Sequence, residues 1–92
     1  MEFEWDPKKE AKNIRKHQVT FSEATTVFGD ILSTTVPDPD HSEEEDRYII
    51  IGLSQRPRLL MVSHTERGER IRIISARPLT PAERETYEEE TN

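Results

Sequence analysis

The chain reads as an α+β domain with a mostly antiparallel sheet, on three observations. Two helix-start signals lie in the first 23 residues and a third at residue 80. Three β-rich runs follow one another between residues 48 and 76, separated by short turns. Connections that short join antiparallel neighbours. The expected order is a short strand, two helices, four strands and one helix, with a four-stranded sheet.

Phe3 to Trp5 is a short aromatic start. Asp6-Pro7 then opens a helix, with Asp as N-cap and Pro in the first helical position, and the helix should run to about His17. Its apolar positions are Ala11 and Ile14, while Lys8, Lys12 and Arg15 share a basic side. Thr20 to Glu23 has the T-x-x-E form of a capping box, with Val19 placed to staple against Ala24. Phe21, Ala24, Val27 and Phe28 recur at helical spacing until Gly29 ends the helix. The β-branched run ILSTTV, 31–36, precedes an acidic loop at 37–46. Strands are expected at Tyr48–Leu53, Leu59–Thr65 and Arg70–Ala76, connected by Gln55–Pro57 and Arg67-Gly68. Thr80-Pro81-Ala82-Glu83 is a second capping box, opening a helix to about Glu90, with 88–92 as a frayed tail.

Both faces of the sheet want cover, because Leu59 and Met61 on one side and Leu60 and Val62 on the other are all apolar. Two helices can cover one face. The last, acidic helix is thin cover for the second, which leaves open a partner protein or homodimer contact there, or a wet face closed by that helix alone.

The 92 residues suffice for one domain with one modest core. No stretch approaches the roughly 20 apolar residues of a membrane span, and the N-terminus lacks the apolar core of a signal peptide, so a cytoplasmic protein is expected. Without cysteine, disulfides, thiolate metal sites and a cysteine nucleophile are excluded. There is no glycine-rich phosphate loop, nucleophile elbow or dinucleotide fingerprint, and no cofactor is expected. His41 among its acids matches no strong metal-ligand spacing.

The net charge of −6 hides a segregation. Residues 38–46 carry six acids and no base, whereas residues 47–77 hold seven arginines against Glu66 and Glu69. Positive charge of that density suits phosphate.

The segments FEWDPKKEAKNIRKHQVTFSEATTVF, RYIIIG and HTERGERIRIISARPLTPAERETYE together resemble the BrnT family of type II toxin–antitoxin systems, over residues 2–87. The resemblance implies a RelE-like fold, an endoribonuclease that halts translation, and neutralisation by a BrnA-type antitoxin that carries the DNA-binding domain and represses the shared operon. Family members often have Gly where this chain has Gln18.

Metal-free RNA cleavage needs a base for the 2′-hydroxyl proton, an acid for the leaving oxygen and cations for the charged transition state. Arginine serves the last role through its planar, always-charged fork. Arg77, ending the last strand in ISAR before Pro78, is the first candidate, followed by Arg72. On strict alternation these two lie on opposite faces and share a site only if a bulge intervenes. Glu66 is the candidate general base. His17, at a helix C-terminus where its pKa should rise, is a candidate acid, phosphate contact or simple cap. Lys12, Lys16, Arg47, Arg67 and Arg70 are candidate RNA contacts. The alternative for each arginine is a surface ion pair with Glu66, Glu69 or the terminal glutamates. His64 reads as a hydrogen-bonded residue at the core edge. At the level of function, the alternative is a non-catalytic interaction module or co-repressor acting with a DNA-binding antitoxin.

Overall fold

The computed structural model describes residues 1–38, 40 and 45–91. The elements are β1 (Glu2–Glu4), α1 (Pro7–His17), α2 (Phe21–Thr26) with a 3-10 turn at Val27–Gly29, β2 (Thr34–Pro37), β3 (Arg47–Leu53), β4 (Leu59–Arg67), β5 (Arg70–Pro78) and α3 (Pro81–Thr91). The last helix runs through most of the residues expected to fray. Pro39, His41, Ser42, Glu43, Glu44 and Asn92 lie outside the described residues, so the metal reading of His41 falls there too. No helix among the described residues is long and apolar enough to cross a membrane.

The sheet has five strands rather than four, in the order β1-β5-β4-β3-β2, and it is mixed. β1 lies parallel to β5, with Phe3 opposite Ile71, while the other neighbours are antiparallel. The short strand expected at the start of the chain does form, and it joins the sheet as the fifth strand. What holds β1 is its side chains. Phe3 packs on Phe28 at 5.1 Å between ring centroids, and Trp5 meets Phe21 edge-on at 6.1 Å. On the opposite face Glu4 meets Arg72 at 2.7 Å.

The core lies between α1, α2 and one sheet face, where Val19, Phe21, Ala24, Val27, Ile50, Leu60, Val62, Ile73 and Ala76 are buried. α1 faces it with an unexpected residue. Ala11 and Ile14 are exposed and Asn13 is buried, because Asn13 is fully hydrogen-bonded to backbone. The helix caps form as their chemistry requires. Asp6 accepts from the Lys8 N–H at 2.9 Å, and Thr20 Oγ1 accepts from the Glu23 N–H at 3.0 Å. The return half of the Thr20 box is missing. Glu23 instead points inward to Arg58, which donates through Nε at 2.8 Å and Nη2 at 2.6 Å, and it also accepts from Ser54 Oγ at 2.7 Å. A buried carboxylate takes a cation and a hydroxyl in preference to one exposed amide.

Gly52 lets β3 pass close under the 3-10 turn, since a Cβ there would lie 2.9 Å from Ser33 Cβ and 3.1 Å from Val27 Cγ1. α3 lies over the second sheet face and leaves an apolar groove of about 320 Å³ lined by Ile51, Met61, Leu79, Ala82, Thr86 and Tyr87. At its far end, Tyr87 donates its hydroxyl to the Leu32 carbonyl at 2.9 Å.

Candidate active site

A β-bulge decides which side chains of β5 meet. Ser63 opposes Ser75 but His64 opposes Ile73, so Ile74 is the extra residue. The bulge reverses the alternation: Ile73 and Ala76 are both in the core, and Arg70, Arg72 and Arg77 fall together on the other face. Strict alternation would have split them.

Sharing a face does not make these arginines one site. Arg70 lies 3.3 Å from Glu2 and Arg72 lies 2.7 Å from Glu4, across the parallel pairing with β1. Arg67 pairs with Glu45 at 3.4 Å. Arg77 forks onto Glu83, through Nη1 at 2.7 Å and Nη2 at 3.0 Å. Each is an ion pair; Arg77 takes one of the terminal glutamates expected from the sequence, whereas Arg67, Arg70 and Arg72 take Glu45, Glu2 and Glu4 in place of Glu66 or Glu69. Arg72 and Arg77 stand roughly 15 Å apart along the strand. Glu66 is also remote, because it opposes Ile71 whereas Arg77 opposes Met61, five residues or roughly 16 Å back along β4. It borders a recess with Glu45, Asp46, Tyr48 and Thr65, an acidic neighbourhood. Arg47 opposes Thr65 at that same end of the sheet.

The free cations are elsewhere. On α1, Lys9, Lys12 and Lys16 follow at spacings of three and four, so one helix face carries all three. They line an open groove of about 270 Å³ together with Asn13, His17, Ile74 and Ser75, where the last turn of α1 meets the bulge. Among the described residues none of these lysines forms an ion pair. The groove thus joins His17 to Lys12 and Lys16, and Arg77 is near enough for its charge to act on the imidazole.

The His17 pKa moves down, against the expectation from the helix C-terminus. Partial burial is the main cause, followed by the positive charges of Lys16 and then Arg77. The imidazole is therefore neutral at pH 7. Arg77 is held in place by Glu83, whose carboxyl is pushed down to about 2, chiefly by the Arg77 hydrogen bonds and then by the Thr80 N–H. That carboxylate also completes the cap of α3, accepting from Thr80 N–H at 2.9 Å while Thr80 Oγ1 accepts from Glu83 N–H at 3.2 Å. His64 is buried between Phe28 and Tyr48, with burial lowering its pKa, and lies away from the groove lining.

Four residues of this region escaped the sequence reading. Lys9 was readable from its spacing to Lys12 and Lys16, and Glu83 was read as a cap and, without being singled out, as one of the terminal glutamates an arginine could pair with. Asn13 and Ser75 carried no local signal, since their places depend on the bulge and on contacts 63 residues apart in the chain.

A family model described as "Ribonuclease toxin, BrnT, of type II toxin-antitoxin system" matches residues 5–83. Among solved structures, the crystal structure of the Brucella abortus ribonuclease toxin BrnT superposes with a TM-score of 0.69 at 24% identity, covering 87% of this chain and 97% of that one. No match is found among curated proteins. The structural likeness shows a shared α+β fold, and the family match spans most of the chain, from Trp5 in β1's wake to Glu83 on Arg77. This chain belongs to the BrnT family of ribonuclease toxins of type II toxin–antitoxin systems.

Proposed function

We propose that this chain is a metal-independent endoribonuclease that inhibits translation by cutting RNA in the groove between α1 and the β5 bulge, and that a BrnA-type antitoxin neutralises it. The antitoxin would carry any contact with operator DNA. The observation that supports this reading is the groove itself: three unpaired lysines and a neutral histidine on one helix face, with an arginine beside them.

In this proposal His17 is the general base. It takes the proton of a ribose 2′-hydroxyl, the 2′-oxygen attacks the adjacent phosphorus, and the 5′-oxygen leaves with a proton from solvent. The products are a 2′,3′-cyclic phosphate and a 5′-hydroxyl. A neutral imidazole can accept that proton at pH 7, whereas one with a raised pKa would already hold it. Lys12 and Lys16 meet the phosphate, and Arg77 adds positive charge where the transition state gathers negative charge. Glu66 and Arg72 have no part here, because the sheet keeps them roughly 15 Å away.

The test is cleavage of a long single-stranded RNA by purified, antitoxin-free protein in EDTA. Wild type should cut, His17→Gln should lose roughly 100-fold or more, and Glu66→Gln should cut like wild type. Because the folded pKa of His17 lies below about 6.5, the rate should rise with pH up to that region and be flat above pH 7. Undiminished cutting by His17→Gln, or a strict need for divalent metal, would sink the reading. The ion-paired state of the strand arginines favours one other function, a non-catalytic module that acts with its antitoxin as co-repressor. Folded wild type that cuts no RNA, free or on ribosomes, would select it.

A further inference from the structure

β1 ends at Glu4, opposite Arg72, so the edge of β5 beyond that point has no neighbouring strand. Asn13 takes over there. Its Nδ2 donates to the Ala76 carbonyl at 2.8 Å, and its Oδ1 accepts from the Ala76 N–H at 3.0 Å. One side-chain amide thus imitates the peptide of a missing strand. The same Nδ2 donates to the Val19 carbonyl at 2.9 Å, which fastens the α1–α2 corner to the clamp. Asn13 lies one helical turn before His17, and both line the groove with Ser75. The clamped residue, Ala76, sits between Ser75 and Arg77, just past the bulge.

We propose that Asn13 is a positioning residue for RNA cleavage, locking the post-bulge segment of β5 against α1 and so setting how far Ser75 and Arg77 stand from His17. This rests on the groove being the catalytic site. A bulge leaves the strand free to be re-aimed, and an α-helix packed on a strand edge has no backbone donors to hold it. A buried amide that gives and receives with one strand residue fixes both distance and register. The hydrogen bonds of the Asn13 side chain all go to backbone, of Val19 and Ala76, and the residue acts through the segments it holds.

The experiment uses the full chain and two readouts. The first is the His17 titration followed by NMR. The charges facing that imidazole are Lys16, Lys12 and Lys9 from α1 and Arg77 from β5, the last opposed by Glu83 of α3. In Asn13→Ala the β5 segment drifts and water enters, so the His17 pKa should rise toward its ordinary value. The second readout is RNA cleavage in EDTA, which should fall by roughly 100-fold, as expected for a displacement of about 1 Å, with the affinity for uncleavable RNA little changed. A fold that is only loosened would not shift the titration of the folded molecules.

A folded Asn13→Ala with wild-type titration and wild-type cleavage overturns the proposal. Asn13→Ser, with a small polar side chain too short to bridge, is read in the same way. If neither variant folds, Asn13 serves stability alone and the positioning role is rejected. His17→Gln, assayed alongside, separates the two levels. If it is inactive while folded Asn13→Ala cuts normally, the proposal fails and the groove stands; if His17→Gln still cuts, the groove reading fails and takes the proposal with it.

Discussion

Gln18 shows what a single backbone conformation costs. It closes α1 with φ 57° and ψ 37°, its N–H donating to the Ile14 carbonyl at 2.9 Å. That left-handed conformation brings a Cβ against the next carbonyl, a penalty of about 1 kcal/mol that glycine escapes. The chain recovers part of it, because Gln18 Nε2 donates to the Arg15 carbonyl at 3.1 Å. That bond is exposed and worth little. The Gln18 carbonyl, which accepts from Arg58 Nη2 at 2.8 Å, would survive a change of side chain. Gln18→Gly is therefore expected to stabilise the protein by about 0.5–1 kcal/mol. Thermal unfolding should register a rise of a few degrees, on the order of 4–8 °C per kcal/mol at this size. A fall in melting temperature would show that the Gln18 side chain does more than its one hydrogen bond suggests.

At the scale of elements, the two T-x-x-E signals are alike in sequence and different in outcome. Thr80 and Glu83 form the full box, while Thr20 caps alone and Glu23 turns to Arg58 and Ser54. Local pattern placed both helix starts; it had no access to the partners 31 and 35 residues away that claim Glu23. Glu83 does two jobs, capping α3 and fastening it to β5 through Arg77. With its folded pKa depressed to about 2, the carboxylate contributes stability that is present above the ordinary carboxylate range, near 4.3, and is lost as pH falls toward 2. The pair is about one-third exposed on both sides, so the contribution is at most about 1 kcal/mol. Glu83→Gln should therefore be less stable than wild type above pH 5, with the gap closing as pH approaches 2. Urea titrations at pH 3 and pH 6 would measure it. A gap that widens in acid would mean that Glu83 is not the group holding α3.

For the whole molecule, what was legible was the kind of each element and the segregation of charge along the chain. What was not legible was where the charges end up. The sequence concentrates arginine on residues 47–77, yet folding sets Glu2 and Glu4 beside Arg70 and Arg72 through a parallel pairing of distant strands. The bulge at Ile74 likewise follows from fitting β5 to β4 and has no local sign. Unpaired positive charge is left on α1, where the sequence already showed a basic side and offered Lys12 and Lys16 as RNA contacts. This arrangement makes a prediction about salt. Each phosphate neutralised by a lysine on single-stranded RNA releases condensed counterions, so log affinity falls with log salt by roughly 0.7 per contact. Binding of an uncleavable 2′-O-methyl oligonucleotide should be strongest at low salt despite the net charge of −6. Lys12→Ala with Lys16→Ala should flatten the slope by roughly 1.4. Arg67→Ala with Arg70→Ala should leave it nearly unchanged, because those guanidiniums already face Glu45, Glu2 and Glu4. If the arginine pair flattens the slope and the lysine pair does not, RNA runs over the second sheet face, its phosphates displacing those carboxylates, and the α1 groove is not its path.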